Sequence, residues 1–227
     1  MEQKIIHHLM MCSFSLSNLG LFHGKTGVAL FFYHYSKFTN NTVYSEYARD
    51  LVDDIWNNLH DRLPENFKSG LAGIAWGVEY MILNGFVTGN SNEICSEIDA
   101  RIMQSDLRRI TPKFIEQELE GFLHYVLIRT AGSVRQNNCL PFDEMYHKDL
   151  FKVFSSLLSH EKTNETCRYF INQYLSTIRA GKELNYTPGL SLFIDEIKIN
   201  EKDIFSSPLG LKNGLAGYLF KQIIQPA

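Results

Sequence analysis

The chain has 227 residues and a mass of 26.2 kDa, long enough to bury a substantial core as one domain spanning residues 1–227. Its 44% hydrophobic and 21% charged residues, without low-complexity tracts, exclude a disordered chain. A formal charge of −3 and a pI near 6.2 offer a polyanion no attraction, and the Arg108-Arg109 pair is too small to change that, so no nucleic-acid partner is expected.

In chain order, the apolar stretch at 5–14 is interrupted by His7 and His8 and lacks the uninterrupted core of a secretory signal. Next comes Gly20-Leu-Phe-His-Gly24-Lys-Thr-Gly27, followed by an apolar run at 28–35 that predicts a helix buried on most sides. Residues 44–59 place Tyr44, Tyr47, Ala48, Leu51, Val52, Ile55 and Leu59 on one helical stripe, with Glu46, Arg49 and Asp53 opposite, which predicts an amphipathic outer helix. After a loop at 61–64, Lys68-Ser-Gly70-Leu-Ala-Gly73 repeats the last two glycines and leads into a second apolar run at 74–83. A loop at 84–89, an amphipathic stretch at 94–102, a worn repeat at Gly121 and a third apolar run at 122–128 follow. Glycine, proline and asparagine breakers then predict a loop at 132–142, amphipathic helices at 150–158 and 170–178, and a loop at 181–188. Pro188-Gly189-Leu-Ser-Leu-Phe is the weakest repeat. Past a loop at 206–208, Gly210-Leu-Lys-Asn-Gly214-Leu-Ala-Gly217 restores the full G-x3-G-x2-G spacing.

Alternating buried and amphipathic helices with no strand ladder predict an all-α fold of repeated helical hairpins. Glycines recurring at each inner-helix start suit helices whose first turns converge on a common axis, as in an α/α toroid. Local helix packing without ring closure is the alternative. No run reaches the roughly 20 apolar residues of a membrane span, because the greasiest helices carry His34, Glu79 or Arg129, so a soluble, cytoplasmic protein without a membrane partner is expected. Cys12, Cys95, Cys139 and Cys167 are too scattered for a zinc clip or a redox pair, and reduced thiols are the simplest reading.

The segments beginning at Gly20, Gly70 and Gly210 resemble the repeated GLxxGxxGIA signature of the LanC-like (lanthionine synthetase C-like) family. The resemblance implies an α/α toroid and, in active members, a zinc ion that activates peptide cysteines for addition to dehydroalanine or dehydrobutyrine; zinc stabilises the thiolate, which is the nucleophile. The family's zinc ligands come from a Trp-Cys motif and a Cys-His-Gly motif. Here Trp56 precedes Asn57, Trp76 precedes Gly77, and His23-Gly24 follows Phe22, so no metal ligand carries over and no cofactor is expected. Complete members have seven hairpins against four or five repeats here, which leads to the expectation of a ring that is incomplete, degenerate or finished by a second copy.

Candidate ligand contacts are His23, Lys25, Lys212 and Asn213, which flank equivalent glycines at inner-helix starts where side chains and free N–H groups meet an anionic or peptide ligand. Interhelix packing and solvated loop positions explain the same residues. His124 reads as a metal candidate or a satisfied core histidine. Asp53-Asp54 reads as outer-helix surface, while Glu118 with Glu120 and Asp195-Glu196 are the other acidic pairs. Glycan hydrolysis needs two carboxylates across a cleft; Asp195 and Glu196 are the better such pair, against the plainer reading of a charged helix face. Trp76 and the aromatic residues suit either a peptide groove or a core. The sequence therefore predicts a peptide-binding or peptide-presenting protein without the zinc site, acting in modified-peptide biosynthesis, with no catalytic residue assigned. A glycan-active enzyme and an assembly protein are the alternatives.

Overall fold

The computed structural model describes residues 1–107, 110–137, 139–180, 184 and 186–224; Arg108-Arg109 and half of the loop predicted at 181–188 lie outside them. The described residues form helices α1 (Glu2–Cys12), α2 (Lys25–Thr39), α3 (Val43–Asn57), α4 (Leu71–Leu83), α5 (Ser91–Ile94), α6 (Ser96–Met103), α7 (Pro112–Gln117), α8 (Leu119–Asn137), α9 (Glu144–Leu157), α10 (Glu165–Ala180) and α11 (Leu215–Leu219). Short 3₁₀ turns and a terminal π turn complete them, and no strand occurs among the described residues. The chain is all-α, as its periodicity requires.

Contacts gather into two units. The first comprises Met1–Pro64, Lys68–Gly77 and Pro188–Ala227, and the second Glu65–Phe67 with Val78–Thr187. In the first unit α2 and α3 form a hairpin, with α2 buried along residues 25–33 and α3 buried at Ala48, Leu51 and Ile55. The hairpin turns at Asn40, whose φ of 51° is the left-handed conformation that ends helices and that asparagine tolerates. In the second unit α8 packs on α5, α7 and α10, and α10 also packs on α9. Helix starts there carry side-chain caps: Thr111 accepts from the Phe114 N–H, Asp143 from Tyr146 and Asn164 from Cys167.

The loop predicted from Gly132 begins too early, since α8 continues through residue 137. Gly132 is not a breaker. A Cβ there would collide with the Glu79 carboxylate, so the glycine makes room for a buried acid inside a helix.

Candidate functional site

The glycine repeat builds a turn in which the first N–H of α2, α4 and α11 is bonded seven residues back. Lys25 N–H donates to the Asn18 carbonyl at 3.0 Å, Leu71 to Pro64 at 2.9 Å and Leu215 to Pro208 at 2.8 Å. The second N–H does the same in two copies, Thr26 to Leu19 and Ala216 to Leu209. Within the first unit these three turns are also joined to one another. Phe22 N–H donates to Lys68 and Lys212 N–H to Phe22, both at 2.9 Å, and these three residues hold equivalent places in their repeats. At Gly20 a Cβ would strike the Ser69 backbone, and at Gly210 the backbone of Phe22 and His23. The first and fourth residues of adjacent turns thus touch backbone to backbone, which any side chain would prevent. The turn at 208–214 accordingly sits directly beside the turn at 18–24, so the last repeat packs on the first.

This arrangement brings His23, Lys212 and Asn213 together on adjoining turns, and it removes Lys25. His23 and Asn213 are exposed and Lys212 is half-buried. The Lys212 ammonium lies 5.1 Å from the centroid of the Phe22 ring and 3.9 Å from the Asp195 carboxylate. Lys25, expected as a ligand contact, is 4% exposed and paired with Asp54 of α3. That pair also corrects Asp54, which faces inward to the cation while Asp53 is exposed. The expectation of free N–H groups at the start of α2 does not hold either, because the turn carbonyls consume them. Asn213 has a φ of 54°, so its identity follows from the left-handed backbone of the turn without any ligand.

Asp195 and Glu196 are exposed in an irregular segment after the 3₁₀ turn Leu190–Phe193; neither stands on the charged helix face expected for them. His124 is a satisfied core residue. It is 4% exposed, shares a hydrogen bond with the Tyr186 hydroxyl and packs against Phe67 and Phe170, and burial lowers its pKa to about 4. His147 behaves alike: 2.7 Å from the Tyr174 hydroxyl, it is also lowered to about 4 by burial, with nearby Asp143 opposing.

The residues present do not fit the family's zinc. Neither tryptophan is followed by cysteine, and at Gly77, which follows Trp76, an added Cβ would stand 2.5 Å from the Thr26 methyl. The positions equivalent to His23 in the adjoining turns are Ser69 and Asn213, and neither is a zinc ligand of the family's Cys/His type. Cys95 and Cys167 are buried, and burial pushes their thiols up, Cys167 to about 12. Among the described residues no three His, Cys, Asp or Glu side chains form a group able to hold a metal ion. None of the helices described is long and apolar enough to cross a membrane.

The second unit holds a polar cluster that the sequence reading passed over. Arg129, fully buried, donates through Nε to both Asp99 oxygens at 3.2 and 3.1 Å, and through Nη2 to Asp99 at 2.6 Å and Asn92 at 3.1 Å. Its Nη1 donates to Glu79 and, at 3.2 Å, to the Ser91 hydroxyl, while the Tyr125 hydroxyl donates to Asp99 at 2.6 Å. Burial raises the Glu79 pKa, with the Arg129 charge opposing. Every guanidinium donor is used, so the cluster ties α4, α5, α6 and α8 together and leaves Arg129 nothing to offer a ligand. Its signal in the sequence was a lone acid inside the apolar helix α4 and an arginine directly after the apolar run 122–128 of α8.

Residues 15–130, just over half of the chain, match the family described as lanthionine synthetase C-like protein. No curated protein and no solved structure matches the chain. The matched span covers the turns at 18–24 and 64–70 with the buried helices that follow them, the same features that carry the repeat. The chain belongs to the lanthionine synthetase C-like family.

Proposed function

We propose that this protein binds or presents a peptide during the making of a modified peptide, without performing the zinc-dependent cyclisation of its family. The supporting observation is the row of three joined glycine turns. It sets Phe22, His23, Lys212 and Asn213 side by side, with polar and aromatic side chains suited to a peptide, while neither Trp56 nor Trp76 is followed by a cysteine. Backbone-to-backbone packing of the turns makes this platform rigid, which lowers the entropic cost of holding a flexible ligand. A synthetic peptide containing one dehydroalanine and one cysteine tests the reading by calorimetry, with free thiol followed in parallel and zinc supplied. The expected result is binding that weakens in His23→Ala and Lys212→Glu, with the thiol unconsumed and zinc well below one per chain. Absence of binding, or stoichiometric zinc accompanied by thiol loss, overturns it.

A further inference from the structure

Part of the peptide platform is already covered by this chain itself. After the turn Leu190–Phe193 the backbone leaves helical geometry, with Ile194 at φ −109° and ψ 117°, and runs irregularly to Asn200. Three consecutive side chains of this segment land on residues of the repeats. The Phe193 ring stands 5.0 Å edge-on from Trp76 and 5.6 Å from Phe22 and is 7% exposed. Ile194, 5% exposed, lies over Gly217, where a Cβ would stand 3.0 Å from its Cγ2. Asp195 reaches Lys212 at 3.9 Å, and both side chains of that pair remain half-exposed.

Phe193 closes a 3₁₀ turn and Ile194 is the first extended residue, so three consecutive side chains reach one face, as a turn allows and a straight strand does not: an aromatic ring seated between two aromatic side chains, an aliphatic group over a glycine and a carboxylate beside an ammonium. The anchors on the receiving side belong to three repeats. Phe22 and Lys212 occupy equivalent places, Gly217 is the third glycine of its repeat, and Trp76 follows Gly70 on the next inner helix. We infer that the surface formed by Phe22, Trp76, Lys212 and Gly217 is a docking groove for a peptide turn with an aromatic, an aliphatic and an acidic residue in succession, and that Phe193-Ile194-Asp195 occupies it as an internal mimic. This rests on the peptide-binding reading and adds the ligand's sequence class and a self-occupied state. The charge contact at the end of the segment is partly solvated and weak, so it serves as a latch, while Phe193 supplies the buried anchor.

The test uses the full chain carrying Trp56→Phe, which leaves Trp76 as the reporter next to Phe193. The probe is a fluorescein-labelled synthetic peptide with the sequence of residues 189–198, read by anisotropy. In Phe193→Ala the probe is expected to bind at least ten-fold more tightly than in the parent and to shift Trp76 emission, and adding Lys212→Glu is expected to abolish the gain. Should Phe193→Ala not fold, Asp195→Lys changes an exposed side chain and is expected to tighten binding about three-fold. A probe in which Asp195 is replaced by lysine is expected to lose ten-fold on Phe193→Ala and to recover on Phe193→Ala with Lys212→Glu. Folded variants that bind the probe no better than the parent overturn the inference. If they do so while the dehydroalanine peptide still binds, the inference fails and the peptide-binding reading stands; if neither peptide binds, both fail.

Discussion

Lowering the pH should destabilise this protein through its buried histidines well before its ordinary carboxylates are protonated; His34, lowered to about 4 by burial, is one of them, and His124 and His147 are the more enclosed. Both side chains are almost fully buried, at 4% and 6% exposure, and in both the pKa is lowered to about 4 by burial. In the unfolded chain each titrates near 6.5, so the unfolded state takes up protons first. The associated stability is fully present above pH 6.5 and is lost as the pH falls toward 4. Linkage gives about 2 kcal/mol per histidine at pH 5, roughly 4 kcal/mol together and on the order of 7 kcal/mol when the loss is complete, comparable to the whole stability of many domains. Glu79 works in the opposite sense. Its pKa is raised mainly by burial, so its contribution is present at low pH and lost as pH rises. The comparison is therefore made with a double variant, His124→Phe with His147→Phe, by urea unfolding followed by circular dichroism at several pH values between 7.5 and 5. Between those limits wild type should lose about 4 kcal/mol more than the variant. A variant whose pH dependence parallels wild type within about 1 kcal/mol would refute the assignment of acid sensitivity to these two imidazoles.

Arg129→Met leaves Glu79 and Asp99 buried without their cation and should cost about 3–5 kcal/mol in urea unfolding at neutral pH, a loss that shrinks as the medium is acidified. Gly77→Cys, which creates a Trp-Cys pair at Trp76, should destabilise the protein by roughly 1–3 kcal/mol because of Thr26, without gaining zinc as measured by metal analysis of the purified variant. Asn213→Gly should unfold within about 0.5 kcal/mol of wild type, whereas Asn213→Ala should lose about 1 kcal/mol, if backbone conformation explains the residue. Equal losses for the two would point instead to a side-chain contact.

The parts of the fold legible in the sequence are those with strong local periodicity. The apolar runs became α2, α4 and α8, and the stripe from Tyr44 to Leu59 became α3, because burial on one face or on all faces leaves its mark residue by residue. Local reading failed where a residue's role depends on a partner far along the chain. Gly132 looked like a helix breaker because its reason is Glu79, and Lys25 looked like a ligand contact because its reason is Asp54. Arg129 and its acids lie 30 and 50 positions apart, beyond any helical period, so the cluster left only two misplaced charges as its trace.

The glycine spacing by itself determined that hairpins recur and that the chain carries the family signature, since G-x3-G-x2-G encodes a turn that closes on its own backbone. The order in which those turns adjoin was decided by tertiary structure alone. The repeat at 208–214 docks on the one at 18–24 across nearly the full length of the chain, through a single backbone hydrogen bond and a glycine with no side chain to intervene. The same holds for the platform. Sequence supplied His23 and Asn213 at equivalent positions with Lys212 beside them, but Asn213 answers to its φ angle, Lys212 to Phe22 and Asp195, and the groove beside them to Phe193. Long-range packing selects among the roles that a residue's chemistry allows, and a local pattern carries no record of that selection.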